Sequence, residues 1–491
     1  MGRAYRWELQ SACTTSLVRI AAATVRPGNT WQARRGLCNC RERDDGKEQN
    51  RGYSHKHACR IPCYAYVMKQ HQPWQRRSTI ALIVLSVSAI FFVTTDNDHI
   101  WPLRNLLHYR FATWWYERMA TDTAVVGTAI LQGCVYNTHH QPIPDALVLL
   151  AEPTGQVHTT TTTADGCYRL PAIPTGRYVP LAVARGYDPA VGRSWGLPLR
   201  VAAGIQPTLD FQLPPVGLPT LQPGSDLRLS PPVTRSWELP QPGTAVRREI
   251  LFDSGGRPNQ LTFLYTPRIT AENWPMLLVV YPGQADWWEG VSIPLAAAGY
   301  AVLAVGPAYS LNLEPDIDEL QRLVAFARAG RLPGVDGRRI AVLGGSYSSL
   351  HVFRLLQRDS GFRCAVSLGG ASDLFDLRQR FEAGQFTPPS GLDQALIALG
   401  TPDMHPIRYW RYSARYQLRT DLPVLAILHS RDDEVVPFEQ SQLLVTRLEQ
   451  LGVPHEAYFF DGMSHYLLAD RPSAELTWIY HLILDFLQRT I

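Results

Sequence analysis

The C-terminal half of this 491-residue chain predicts an α/β domain with a doubly wound, mostly parallel sheet, preceded by a smaller β-sandwich and a single N-terminal transmembrane or signal segment. Three observations carry that reading. From residue 247 onward, six short apolar runs alternate with amphipathic segments, as in a sheet covered by helices on both faces. One of those runs ends in a tight Gly-Gly-Ser turn that opens directly into a helical pattern. Residues 125–213, by contrast, show short period-2 runs broken by turn residues.

Apolar residues make up 45% of the chain and charged residues 18%, ordinary globular usage that excludes wholesale disorder and a multi-span membrane protein. The net charge of +4 is unevenly placed. Residues 1–77 hold fifteen Lys/Arg against five Asp/Glu, so the rest of the chain is net negative and offers nucleic acid no basic footprint.

In chain order, residues 1–78 form a basic segment with Cys13, Cys38, Cys40, Cys59 and Cys63. A chain beginning at Met68 would have the charged and apolar regions of an export signal, which marks residues 1–67 as an over-called start. A metal knuckle from Cys38, Cys40, His55, His57, Cys59 and Cys63 has no standard zinc spacing, and no metal is expected. Residues 79–95 (TIALIVLSVSAIFFVTT) carry no charge, with Lys69, Arg76 and Arg77 before them and Asp96 and Asp98 after. This predicts a single-pass signal anchor with the bulk of the chain outside the cytoplasm. A cleaved signal ending near Val87-Ser88-Ala89, and hence a secreted protein, is the rival. The juxtamembrane stretch 96–124 includes an aromatic and basic segment, 101–119, suited to a membrane interface or to packing on the next domain.

In residues 125–213, Gly133-Cys134-Val135, 142–148 (PIPDALV), 164–168 (ADGCY), 174–178 (PTGRY) and Arg185-Gly186-Tyr187 occur in order. Here the chain resembles the carboxypeptidase regulatory-like, transthyretin-type domain. The resemblance implies an accessory that supports or positions, with weak glycan or protein contact as the alternative. Outside the cytoplasm, Cys134 and Cys167 are either a disulfide or two core thiols. Residues 214–246, crowded with proline, read as a stiff linker.

The runs from 247 to the end are 276–281 (MLLVVY), 301–305, 340–343, 364–368, 424–428 and 456–460, with helices expected over 316–329 and 438–451. Ligands on such sheets bind at the C-terminal strand ends. Three of those ends carry chemistry. After 340–343 comes Gly344-Gly345-Ser346-Tyr347-Ser348, a nucleophile elbow with Ser348 in place of the usual second Gly. After 424–428 come His429 and Asp432-Asp433-Glu434, and after 456–460 comes His465. A serine hydroxyl needs an imidazole to take its proton, and that imidazole needs a carboxylate to fix its tautomer. Ser346, Asp433 and His465 are therefore the candidate triad, with Asp432 and Glu434 as solvated neighbours and His429 as a structural residue rather than a base.

The chain order Ser, Asp, His, with Gly334-Val335-Asp336, 406–413 (PIRYWRYS) and 436–441 (VPFEQS), resembles an α/β-hydrolase of the prolyl oligopeptidase and dienelactone hydrolase group. The resemblance implies a serine hydrolase acting on a small-molecule ester or a peptide, with no cofactor; a catalytically silent fold used for binding is the alternative. It also implies an oxyanion hole, one donor being the Tyr347 N–H. The family's loop with two glycines is here Tyr281-Pro282-Gly283-Gln284; since Pro282 has no N–H, the second donor is the N–H of Gly283 or Gln284, or the Tyr281 hydroxyl. Trp287 and Trp288 wall a pocket or belong to the core. Residues 373–419 form a cap over the site. Residues 125–213 are too short for a propeller with blades of ~40 residues.

Overall fold

The computed structural model describes residues 127–491 except 195–196, 217–226, 239–240, 253–261, 269–272, 308–311, 360, 388–398 and 466–472. The apolar run 79–95, the aromatic segment 101–119 and the early Cys/His cluster lie outside the described residues. Among those described, no helix is long and apolar enough to cross a membrane.

The first ten strands are β1 (Thr128–Asn137), β2 (Leu147–Ala151), β3 (Val157–Thr161), β4 (Cys167–Pro174), β5 (Gly176–Tyr178), β6 (Leu181–Val183), β7 (Ala190–Val191), β8 (Arg193–Ser194), β9 (Leu197–Val201) and β10 (Phe211–Leu213). They form three small sheets, ordered β10-β1-β4, β3-β2-β6-β7 and β5-β9-β8. Alternation places Leu131, Val148, Leu150, Tyr168, Leu170 and Phe211 in one apolar core between the layers. Cys134 and Cys167 stand directly opposite each other in the antiparallel β1–β4 register and are joined as a disulfide. It spans 33 residues, so Cys134→Ser is expected to lower the stability of this sandwich by about 2–4 kcal/mol. Denaturant unfolding of the two proteins without reductant checks it.

The second set begins with β11 (Arg228–Leu229), β12 (Val233–Trp237), β13 (Gly243–Leu251), β14 (Thr262–Pro267) and β15 (Trp274–Val280), then α1 (Glu289–Ala297), β16 (Ala301–Val305) and α2 (Glu314–Arg328). There follow β17 (Val335–Gly345), α3 (Ser349–Arg358), β18 (Cys364–Leu368), α4 (Leu374–Glu382), α5 (Pro406–Arg411), β19 (Val424–Ser430), α6 (Glu439–Leu451), β20 (His455–Phe460) and α7 (Ala474–Thr490). The sheet runs β11-β13-β14-β16-β15-β17-β18-β19-β20, with β12 on β13. Pairing is parallel from β16 to β20 and antiparallel before that. This is an α/β-hydrolase-like fold. Strand order reverses around β15 and β17, the place where open α/β sheets put their ligands.

Alternate residues of each central strand face opposite layers. Met276, Leu278, Ile340, Val342, Leu425 and Ile427 pack toward α2, α3 and α6. Leu277, Val279, Ala341, Leu343, Ala426 and Leu428 pack toward α1 and α7. Two covered faces explain why these strands read as unbroken apolar runs. The helices begin and end on local signals: Glu314 and Asp316 lie in the first turn of α2, Gly452 takes φ 66° after α6, and the Ser473 hydroxyl accepts the Leu476 N–H at α7.

One expectation is corrected, and a second, the cap of 373–419, is not met by its described residues, 388–398 lying outside them. Part of the proline-rich stretch 214–246 is sheet rather than linker, since β11, β12 and the start of β13 lie in it. Pro231 and Pro232 fall between β11 and β12 at the sheet edge, where a missing N–H breaks no ladder. The described part of 373–419 also packs away from the expected position over the site. Its α4 and its loops meet the β-sandwich instead: the Val179 N–H donates to the Asp403 carbonyl at 2.9 Å and Gln379 to Gln156 at 3.1 Å, and just beyond the segment Arg185 donates to Asp421 at 2.7 Å. Leu149, Ala151, Leu181 and Val183 pack from β2 and β6 into the same core as the second sheet.

Asp403 lies at this junction with Oδ1 buried and without a hydrogen-bond partner among the described residues. Burial pushes its carboxyl up to about 6, against a hydrogen bond from Thr401 and the charge of Arg378. An unfolded aspartate titrates near 3.9, so between the two values the folded state holds the extra proton. Stability therefore falls as pH rises through that window and stays lower above it. The melting temperature is expected to rise as pH drops from 7 to 5. Asp403→Asn should flatten this slope and raise the pH 7 value, read by calorimetry.

Candidate active site

The elbow follows from residue size and strand position. At Gly344 a Cβ would lie 2.7 Å from Val352 Cγ2 and 2.9 Å from the Ser348 carbonyl oxygen, so only glycine fits where β17 meets α3. Ser346 takes φ 53°, a left-handed conformation that L residues adopt under strain. Ser348 is fully buried, and its hydroxyl has no partner among the described residues, the consequence of a serine where glycine is usual.

Ser346, Asp433 and His465 come together from the ends of three strands. His465 Nε2 lies 2.8 Å from Ser346 Oγ, and His465 Nδ1 lies 2.7 Å from Asp433 Oδ2. The network assigns Nδ1–H donating to the carboxylate, leaving Nε2 to accept the serine O–H. Asp433 Oδ1 accepts the N–H groups of Val435 at 2.9 Å and Val436 at 2.7 Å. Burial would raise this carboxyl, but hydrogen bonds from His429 and His465, together with the positive charge of His465, hold it well below the usual carboxylate range.

The neighbours support the site. Buried His429 sets Nε2 3.2 Å from Asp433 Oδ2 while its Nδ1 stands 2.7 Å from Ser441 Oγ, so Asp433 faces two imidazoles. Glu434 accepts the His465 backbone N–H at 3.0 Å and the Ser464 hydroxyl at 2.5 Å, pinning the loop that carries the imidazole. Asp432 accepts the Gly462 N–H at 2.6 Å on the same loop. Gly369, at φ 55°, lies where a Cβ would be 3.3 Å from Asp433 Oδ2. Sequence reasoning did not single out Gly369, whose only signal was its place just after β18. Behind the elbow, buried His351 stands 3.1 Å from Asp316 and edge-on to Tyr347.

The oxyanion candidates come from the turn after Ser346 and from the loop after β15. Tyr347 is buried at the start of the turn into α3. The Tyr281 hydroxyl stands 2.8 Å from Ser292 Oγ on α1, and its ring stacks on Trp288 at 5.2 Å. Burial raises this phenol above its ordinary range. Gly283 takes φ 107° and Gln284 precedes a short 3-10 turn, over Gly306, which has no room for a side chain. Trp287 is 68% exposed, so of the two tryptophans only Trp288 joins the site wall. An apolar cavity of about 340 Å3 opens beside Ser346, and no described residue of 373–419 lines it.

Residues 130–214 match the family model of the carboxypeptidase regulatory-like domain, and residues 316–491 match that of the prolyl oligopeptidase family. The uncharacterized peptidase YuxL of Bacillus subtilis (strain 168) is 26% identical over 187 residues, covering 35% of this chain. The match spans 27% of that relative's length. Among solved structures, an acetyl ester-xyloside bifunctional hydrolase from Caldicellulosiruptor lactoaceticus has a TM-score of 0.39 at 20% identity, over 49% of this chain and 91% of its own. A dipeptidyl peptidase 4 of Porphyromonas gingivalis has a TM-score of 0.39 at 16% identity, over 72% of this chain and 49% of its own.

Proposed function

We propose, for a chain that joins a carboxypeptidase regulatory-like domain to a prolyl oligopeptidase-family serine hydrolase domain, that Ser346, His465 and Asp433 form its catalytic triad. The observation that carries this reading is the unbroken chain of hydrogen bonds from Ser346 Oγ through His465 to Asp433, at 2.8 and 2.7 Å. Ser346 Oγ attacks the acyl carbonyl of an ester or amide while His465 Nε2 takes the hydroxyl proton. The oxyanion of the tetrahedral intermediate meets the Tyr347 N–H and a second donor among Gly283, Gln284 and Tyr281. His465 then gives its proton to the leaving alcohol or amine, and the acyl group stays on Ser346. Water, deprotonated by the same imidazole, attacks the acyl-enzyme and releases the acid. Asp433 holds the tautomer and balances the charge of the imidazolium.

Ester cleavage is the favoured activity in vitro, since an alkoxide leaves with less help than an amine; the family match over 316–491 favours a peptide as the natural substrate. The test is labelling of the full chain with a fluorophosphonate beside Ser346→Ala. Covalent labelling lost in the variant is expected; a folded wild-type protein that never labels would overturn the reading.

The same reading puts the enzyme outside the cytoplasm, held by residues 79–95. The lopsided charge around that run and a disulfide at Cys134 support it. Loss of the protein to protease added to intact cells is the expected result, and full protection would remove the proposal.

A further inference from the structure

Gln241, between β12 and β13, lines the cavity beside Ser346, although it belongs to the stretch that reads as linker in the sequence. The two strands are held on α1 by close approach. Trp237 ends β12 against Gly290, where a Cβ would lie 2.7 Å from Trp237 Cε2. Gly243, paired with Trp237 at the start of β13, lies where its own Cβ would be 3.1 Å from Pro294 Cα. Arg247 of β13 also donates to Glu289, the first residue of α1, at 2.8 Å. Between these anchors Gln241 is half-buried, and in the chain it is flanked by Pro240 and Pro242, whose rings restrict the backbone on either side.

The other polar side chains of the cavity wall are engaged. Tyr281 meets Ser292, Tyr480 donates to the Pro294 carbonyl, Ser464 donates to Glu434, and Ser430 accepts the Asp432 N–H. His429 lies between Ser441 and Asp433, and the triad serves the proton transfers. The Trp288 indole, stacked on Tyr281, can offer only an N–H. The Gln241 amide has no hydrogen-bond partner among the described residues. It therefore brings to the wall a donor and an acceptor on separate atoms, both unspent.

We infer that Gln241 is a specificity-determining residue that holds one residue of an extended peptide by its backbone N–H and C=O, an inference that rests on Ser346 as the nucleophile. In an extended chain these two groups of one residue point to the same side, which is how a strand residue exchanges two hydrogen bonds with its partner. A primary amide presents the complementary pair from a single carbon. A hydroxyl or an ester oxygen would engage one half of it and leave the other unpaired, at a cost.

A neutral hydrogen bond is worth about twofold to tenfold, so losing both should cost about tenfold. The full chain is assayed on an internally quenched peptide library and on p-nitrophenyl acetate, which has no amide. Gln241→Met keeps the length of the side chain and removes its amide. It should lower the ratio of kcat/KM on the best peptide to that on the acetate about tenfold. Each backbone N–H of that peptide is then methylated in turn; at one position the loss seen with the wild type should vanish in Gln241→Met. A ratio that falls less than threefold, methylation losses that are the same in both proteins, or a wild type that labels with fluorophosphonate and cleaves the acetate but no peptide would overturn the inference and leave the hydrolase reading standing. A folded wild type that never labels would remove the nucleophile and this inference with it.

Discussion

Ser346→Ala is expected to lower kcat/KM on a p-nitrophenyl ester by at least ~10⁴-fold while leaving the melting temperature within a few degrees. The loss is large because removing one member disables the others: His465 Nε2, 2.8 Å from the missing oxygen, has no proton to take. For the same reason Ser346→Ala combined with His465→Ala should cost little more than either alone. The fold is spared because the Ser346 side chain enters no apolar core, and alanine is small enough for the elbow. Stopped-flow assay and calorimetry on the same samples decide the matter. Activity within tenfold of wild type would mean that another residue attacks the ester.

Asp433→Asn is expected to lower kcat by about 10⁴ at pH 7 with little change in KM. Asp433 is surrounded by donors: the Val435 and Val436 N–H groups on Oδ1, and the two imidazoles of His465 and His429 on Oδ2. An asparagine that keeps its oxygen toward the two backbone N–H groups must turn its amide toward His465 Nδ1. The imidazole then adopts the other tautomer, with the proton on Nε2 facing Ser346, and can no longer accept the serine proton. Asp433 itself stays charged to well below the ordinary carboxylate range, so in the wild type the acid limb of the pH–rate profile does not report its protonation. A fall in kcat of less than tenfold would show that the carboxylate does not set the tautomer.

The parallel strands were legible because burial on both faces writes continuous apolar runs, and 301–305 and 364–368 match β16 and β18 residue for residue. The Ser, Asp and His positions were legible because each follows such a run. The antiparallel strands of the second sheet were not. In β13 only Ala245 and Ile250 are buried, so no period-2 pattern stands out, and the prolines around β11 and β12 read as breaks. The roles of His429 and Glu434 depend on loops that meet only in three dimensions. A backbone oxyanion donor has no side-chain signature, so the loop 281–284 names candidates without choosing among them. The docking of the sandwich left one signal that went unused. Leu147–Ala151 is five apolar residues in a row, whereas a sandwich strand with one wet face would alternate.

That unbroken run has a consequence for inheritance. Val148 and Leu150 belong to the sandwich's own core, while Leu149 and Ala151 belong to the core of the sheet that carries Ser346. A recombination that replaced residues 127–213 with another sandwich of the same fold would supply the first set and not the second. The recipient would carry an uncovered apolar strip beside α5 and would be open to aggregation. The two parts of this chain are therefore bound to descend as a pair, with substitutions at Leu149 or Leu181 answered by changes in the 373–419 segment rather than within the sandwich.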